Sequence, residues 1–124
     1  MKGWVKDLFL AIDRMDADGF SAFLTKECAF CFGNAPAVYD RENIRDYVAN
    51  FFSSIKGLAH RILETWEFGQ TVICEGEVTY IRRDDKKITL PFVDIFRMEQ
   101  GLIADYRVYM DISPLFAPLQ NEVL

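Results

Sequence analysis

The sequence has few basic residues and no long apolar run, and each shortage excludes a class of protein. Lysine and arginine number 14 against 19 acidic residues, a net charge of −5, so the chain lacks the positive surface that binds nucleic acid or anionic membranes. No apolar stretch approaches the roughly 18 residues that a membrane span needs. The opening residues (MKGWVKD) include an acid and no small-residue cleavage site. We therefore expect no secretory signal and a cytoplasmic protein.

Cysteine and histidine are also scarce, with three and one respectively. Cys28 and Cys31 are spaced as C-x-x-C, but residues 27–32 have strand character, which puts positions three apart on opposite faces and about 10 Å apart. That exceeds the roughly 7 Å limit for a disulfide. A single histidine without clustered acidic residues provides too few ligands for a metal ion. We expect reduced, buried thiols, with no metal and no cofactor.

Aromatic residues are abundant instead. The 124 residues include 11 Phe, 5 Tyr and 2 Trp, and 51% of the chain is hydrophobic. This length and composition predict one domain over residues 1–124, with either a large aromatic core or an apolar pocket.

The first half of the chain has helical periodicity and the second half alternates with period 2. We predict a helix over 3–15, a short second helix capped by Asp16 or Asp18 and reaching Leu24, a short strand at 30–32, and a third helix that Asp40 caps and that ends at 56–57. Four long strands follow, at 58–68, 71–83, 87–99 and 102–112, and a tail from Ser113 wraps the surface. Pro91 indicates a bulge or an edge position in the third long strand.

Three helices followed by four long antiparallel strands predict an α+β fold. A strongly curved, mainly antiparallel sheet would wrap the helices as a cone (a cystatin-like architecture). Side chains would fill such a cone only in part, which leaves a pocket.

Asp94 is the strongest single signal of a site. It lies within the apolar run FVDIF (residues 92–96), so its neighbours are hydrophobic on either strand face. A carboxylate there must be paired, hydrated in a cavity or protonated. The alternatives are a group in a pocket and a structural ion pair, with Arg107 on the next strand as the candidate partner.

His60 is the best candidate for a general base, since an unperturbed imidazole titrates near pH 6.5. On period 2 it shares a strand face with Ile62, Glu64 and Trp66. The alternative is a half-buried core residue. Asp13 ends the first helix, and periodicity alone favours a solvent-exposed position for it.

The order of elements resembles the nuclear transport factor 2-like superfamily and, within it, the SnoaL-like group. The resemblance covers nearly the whole chain. The segments that carry it are 11–18 (AIDRMDAD), 57–60 (GLAH), 75–80 (EGEVTY), 90–96 (LPFVDIF) and 101–109 (GLIADYRVY).

The resemblance implies roles for three ionisable residues. Asp94 falls where ketosteroid isomerases carry a protonated acid that stabilises an oxyanion. His60 falls where scytalone dehydratase has one of its two catalytic histidines, and Asp13 falls in the stretch that supplies that enzyme's aspartate. The general-base aspartate of the isomerases falls near Cys31 or Phe32 instead, and the dehydratase's second histidine has no counterpart, so no complete known set is present.

The resemblance also implies an aromatic pocket and a homodimer. We predict that the pocket is lined by Phe9, Phe32, Phe51, Tyr80, Phe92, Tyr106 and Trp66. Superfamily members commonly dimerise through the outer face of the sheet, where Val93 and Ile95 would lie.

Two functions follow as hypotheses. One is a cofactor-free isomerase, dehydratase, cyclase or hydrolase that acts on a small apolar carbonyl or hydroxyl compound through His60, Asp13 and Asp94. The other is a non-catalytic ligand-binding or scaffold protein with the same fold.

Overall fold

The computed structural model describes residues 3–119. Residues 1, 2 and 120–124, which include the start of the segment examined for a signal and the end of the predicted tail, lie outside that range. No helix among the described residues is long and apolar enough to cross a membrane.

The helices occur where the periodicity predicted them, with shorter bounds. They are α1 (Gly3–Asp13), α2 (Ala17–Ser21) and α3 (Arg41–Ser53), followed near the end of the chain by a 3-10 turn at Ser113–Leu115. The Asp16 carboxylate accepts a hydrogen bond from the Gly19 amide and so caps α2. Asp40 occupies the N-cap position of α3 but makes no cap hydrogen bond through its side chain, so that part of the prediction was wrong.

Six strands form one curved, unclosed sheet. They are β1 (Leu24–Phe32), β2 (Val38–Tyr39), β3 (Ile55–Phe68), β4 (Thr71–Arg82), β5 (Lys87–Glu99) and β6 (Leu102–Tyr109), in the order β2-β1-β6-β5-β4-β3. β3 to β6 form the predicted antiparallel meander. The α+β prediction is confirmed.

β1 is longer than the sequence pattern suggested. The predicted short strand at 30–32 is the end of a nine-residue strand that pairs parallel with β6. Leu24, predicted to end the second helix, instead begins this strand. The pairing with β6 is long-range, and local periodicity in a mixed segment does not reveal it.

Pro91 lies in the part of β5 that pairs only with β4, because the pairing with β6 begins at Val93. Proline has no amide hydrogen, but no hydrogen bond between β5 and β6 is lost, because β6 does not pair with β5 at this position.

A bulge in β3 decides which side chains of this strand face inward. Pairing with β4 shifts by one residue at Leu63, so His60 lies opposite the buried Val78, whereas Trp66 lies opposite Ile73 on the outer face. An extra residue reverses the alternation of a strand. The prediction that Trp66 shares a face with His60 and lines the pocket was therefore wrong, and Trp66 is 40% exposed.

Helices α1 and α3 lie against the concave face of the sheet and bury their apolar stripes there. Val5 and Leu8 of α1 and Ile44 of α3 are fully buried, as are Phe96 and Ile103 of the sheet. This core fills one end of the cone and leaves the other end partly empty.

Candidate functional site

The concave side of the sheet encloses a cavity with about 540 Å³ of empty space, counting the part that is open to solvent. Five of the predicted pocket residues line it, namely Phe32, Phe51, Tyr80, Phe92 and Tyr106. Trp66 does not, for the reason given above.

Phe9 is also absent from the cavity wall. Its ring lies 4.8 Å from that of His60 and 6.1 Å from that of Phe92, measured between centroids, and the His60 and Phe92 rings also contact each other at 5.4 Å. Phe9 therefore supports the imidazole rather than a ligand. Ile12, which lies about one turn further along α1, lines the cavity, whereas Phe9 is buried in the core.

Asp94 faces the cavity from β5 and is only 2% exposed. Burial raises its pKa well above the usual range, and a hydrogen bond with the Tyr106 hydroxyl opposes that rise. The Asp94 Oδ1 atom has no hydrogen-bond partner among the described residues. A protonated carboxyl in this environment is a hydrogen-bond donor at neutral pH.

The alternative ion pair between Asp94 and Arg107 does not form. Arg107 points to the outer face, where its Nε donates to Asp105 Oδ1 at 2.9 Å. The two residues belong to neighbouring strands, but Asp94 pairs with Val108, so Arg107 is on the other face of the sheet.

The buried carboxyl gives a testable dependence of stability on pH. Because the folded pKa of Asp94 is raised, its contribution to stability is full below the unfolded value of about 3.9 and is lost as pH rises through the folded pKa. We expect Asp94→Asn to remove this loss, so its stability relative to wild type increases between pH 4 and pH 8 in urea unfolding. Asp111→Asn is the control, because hydrogen bonds from Ser113 lower the pKa of that carboxyl instead. Parallel stability curves for wild type and Asp94→Asn would contradict a buried, neutral carboxyl.

His60 and Asp13 form a two-point contact at the edge of the cavity. The His60 Nδ1 atom lies 2.6 Å from Asp13 Oδ1, and the His60 backbone amide donates to Asp13 Oδ2 at 3.0 Å. An ionised carboxylate can only accept, so Nδ1 carries the hydrogen and Nε2 is left as the basic nitrogen. His60 lines the cavity, whereas Asp13 lies behind it.

The position of Asp13 is unusual for an acid. It is the last residue of α1, where the helix dipole disfavours negative charge. The two hydrogen bonds from His60 compensate for that position, and Asp13 is partly buried rather than fully exposed. Periodicity alone did not indicate this contact, because the partner lies 47 positions away.

The site therefore places an imidazole, a carboxyl group and a phenol hydroxyl on one apolar cavity. His60 comes from β3, Asp94 from β5 and Tyr106 from β6. Burial also raises the pKa values of the Tyr80 and Tyr106 hydroxyls, so both remain protonated donors at neutral pH.

Two residues of the cavity wall, Phe20 and Tyr47, are absent from the predicted set, and Phe30 also lines the cavity. Tyr47 lies on the same face of α3 as Val48 and Phe51, and that face is turned to the cavity. Within residues 3–119, no three His, Cys, Asp or Glu side chains are grouped closely enough to hold a metal ion.

Comparison with known proteins places this geometry in context. Residues 5–106 match the model of the SnoaL-like domain. No curated protein matches the sequence.

Solved structures share the fold at low sequence identity. A protein from Catenulispora acidiphila with a ketosteroid isomerase-like fold, in complex with trimethylamine, is 14% identical, with a TM-score of 0.85 over 93% of this chain and 90% of that one. A candidate polyketide cyclase from Xanthomonas campestris is 20% identical, with a TM-score of 0.83 over 95% of both chains. An epoxide hydrolase-like enzyme from M. tuberculosis is 17% identical, with a TM-score of 0.77 over 90% of this chain and 83% of that one. At these identities the likeness shows the fold.

Proposed function

The chain belongs to the SnoaL-like group of the nuclear transport factor 2-like superfamily, and on that basis we propose that it is an acid–base enzyme for a small, uncharged carbonyl compound. The observation that carries the proposal is the shared cavity of His60, held by Asp13, and Asp94, whose Oδ1 lacks a partner among the described residues. The names of two structural neighbours, a candidate cyclase and an epoxide hydrolase-like enzyme, are compatible with such chemistry.

The proposed step is removal of a proton from the carbon next to the carbonyl. His60 Nε2 takes the proton, the C–H electron pair becomes a C=C bond, and negative charge moves to the carbonyl oxygen. Asp13 stabilises the imidazolium that forms. Asp94 in its neutral form donates a hydrogen bond to the oxygen, and the Tyr106 hydroxyl, which is hydrogen-bonded to Asp94, holds that carboxyl in place. The His60 imidazolium then returns its proton, either to another atom of the enolate, which gives isomerisation, or to a hydroxyl group on the β-carbon, which leaves as water as the C–O bond breaks and gives dehydration.

The experiment uses 2-tetralone, a small, neutral aromatic ketone. Its α-protons exchange with deuterium in D₂O through the same enolate, and proton NMR follows the loss of signal. We expect wild-type protein to accelerate exchange above the buffer rate. Asp94→Leu keeps the branched shape of the side chain but removes the donor, and we expect its exchange rate to be about 10²–10³-fold lower. Asp94→Asn should retain more of the rate because its amide still donates.

Binding without exchange would instead support the non-catalytic hypothesis. Saturable binding of 2-tetralone with no acceleration, in wild type and all variants alike, would mean that the cavity is a ligand site and that His60 is a structural residue.

We also propose that the protein forms a homodimer through the outer face of the sheet. Trp66, Ile73 and Ile95 lie in one row across β3, β4 and β5, with Arg107 next in the row on β6. Trp66 is exposed and the two isoleucines are half-buried, and a partly exposed apolar row flanked by charge is typical of a protein interface.

Light scattering tests the dimer. We expect wild type to have twice the chain mass at micromolar concentration and Ile95→Glu to have the mass of one chain. Leu10→Glu, which places the same charge on an exposed apolar position of α1, should leave the dimer intact. A monomeric wild type would contradict the proposal.

A further inference from the structure

The cavity wall is aromatic and lacks a positive charge. Nine of its lining residues are Phe or Tyr, and no Lys or Arg is among those that line it within the described part of the chain. The rings pack against one another, as Phe32 does on Phe51 at 5.0 Å and Phe51 on Tyr80 at 5.9 Å. Aromatic walls attract organic cations through the negative faces of the rings. An anion would find no counter-charge in this cavity.

Asp94 adds a potential negative charge to this wall. It is almost fully buried, it faces the cavity, and its Oδ1 atom has no partner among residues 3–119. A buried polar atom without a partner is costly, so an occupant that satisfies it gains that free energy. A hydroxyl group or a protonated amine can donate a hydrogen bond to this atom, whereas a quaternary ammonium has no N–H and stabilises the ionised carboxylate through its charge alone.

We propose that the cavity binds a small organic cation, a quaternary ammonium or a protonated tertiary amine, with the Asp94 carboxylate as its counter-ion. The aromatic walls surround the alkyl groups, and the net charge of −5 favours approach of a cation. This inference concerns the same cavity as the proposed enzyme, but it requires no turnover and stands or falls on binding alone.

The state of Asp94 gives the inference a distinctive signature. Burial raises the pKa of the carboxyl well above its usual range, which favours its neutral form in the empty site. A bound cation favours the ionised form, so Asp94 releases its proton as the cation binds. Below the raised pKa, affinity for the cation therefore increases up to tenfold for each unit of pH.

Other titratable groups face Asp94 or share its cavity. Tyr106 of β6 and Cys74 and Tyr80 of β4 face Asp94, and burial raises the pKa of each, to about 12 for Cys74. These three stay protonated at neutral pH and release no proton. His60 of β3, with Asp13 of α1 behind it, is the other possible source.

The experiment measures binding of tetramethylammonium, which has no proton to lose, by calorimetry at constant ionic strength. Titrations in phosphate and in Tris at one pH give the number of protons released, since the two buffers differ in ionisation enthalpy. We expect release of up to one proton per cation and affinity that increases with pH. Tert-butanol, a neutral compound of similar shape, should bind more weakly and release none.

Variants identify the source of the proton. In Asp94→Asn, binding should release no proton, and the affinity for tetramethylammonium at pH 8 should be at least tenfold lower. In His60→Gln, binding should still release the proton. Phe51→Leu should lower the affinity for tetramethylammonium more than the affinity for tert-butanol. The inference is overturned if wild type binds both probes equally, if binding releases no proton, or if the release survives in Asp94→Asn. Failure of these tests would leave ketone exchange unaffected, and the two proposals are therefore separable.

Discussion

Replacement of His60 by glutamine is expected to lower the protein-catalysed exchange of 2-tetralone by about 10²–10⁴-fold, the usual contribution of a positioned general base. Glutamine has a similar length but no basic nitrogen, so it can keep a hydrogen bond to Asp13 while losing the ability to take a proton. Binding should change little, because the walls that hold an apolar ligand are separate side chains. Fluorescence titration with 2-naphthol, a stable mimic of the enol, measures that binding.

Asp13→Asn is the informative second variant. It removes the negative charge that stabilises an imidazolium but leaves a side chain of the same shape next to Nδ1. We expect a rate between those of wild type and His60→Gln, with unchanged 2-naphthol affinity. Equal rates in wild type and His60→Gln would contradict His60 as the base, and a parallel loss of binding and rate would indicate a structural role.

Replacement of Arg82 by methionine is expected to lower the free energy of unfolding by about 3–5 kcal/mol, the usual cost of breaking a buried ion pair. Arg82 ends β4, is 3% exposed and pairs with Asp84 at 3.0 Å. Its guanidinium also donates to the carbonyl oxygens of Pro114 at 2.8 Å and Pro118 at 3.1 Å. The side chain thus holds the segment after β6 against the end of the sheet.

The neighbouring Arg83 offers a matched control. It is an exposed arginine that donates to the Ser53 carbonyl oxygen from the surface. Arg83→Met should change stability by less than about 0.5 kcal/mol. Arg82→Lys should recover only part of the loss, because one ammonium group lacks the planar fork that reaches three acceptors. Urea unfolding of the three variants measures the difference, and similar losses for Arg82→Met and Arg83→Met would show that the buried pair contributes little.

The sequence predicted the fold well because its signals are local and repeated. Period-2 alternation over four long strands fixes a meander, and a helical stripe before it fixes the layer that packs on the sheet. β1 was underestimated because its parallel partner, β6, lies at the far end of the chain. Nothing in residues 24–29 alone separates a strand from the end of a helix.

Individual site residues were predictable only where their surroundings were local. Asp94 stands out because apolar residues flank it on both strand faces. The position of Trp66 was predicted wrongly because one bulged residue, Leu63, reverses the faces of β3. In the sequence, the bulge is indicated by Gly76, which lies next to it on β4. A Cβ atom at Gly76 would lie 2.3 Å from the Arg61 carbonyl oxygen, so the two backbones approach closely there.

The central claim is that His60 presents a basic Nε2 to the cavity that holds Asp94. A ¹⁵N NMR spectrum of the ring tests this most directly, and it needs no assignment variant because the chain has one histidine. We predict a protonated Nδ1 and an unprotonated Nε2 at neutral pH, with the Nε2 signal alone shifting strongly when 2-naphthol binds. Hydrogen on Nε2 instead, or bound 2-naphthol that leaves both ring nitrogens unchanged, would contradict the account.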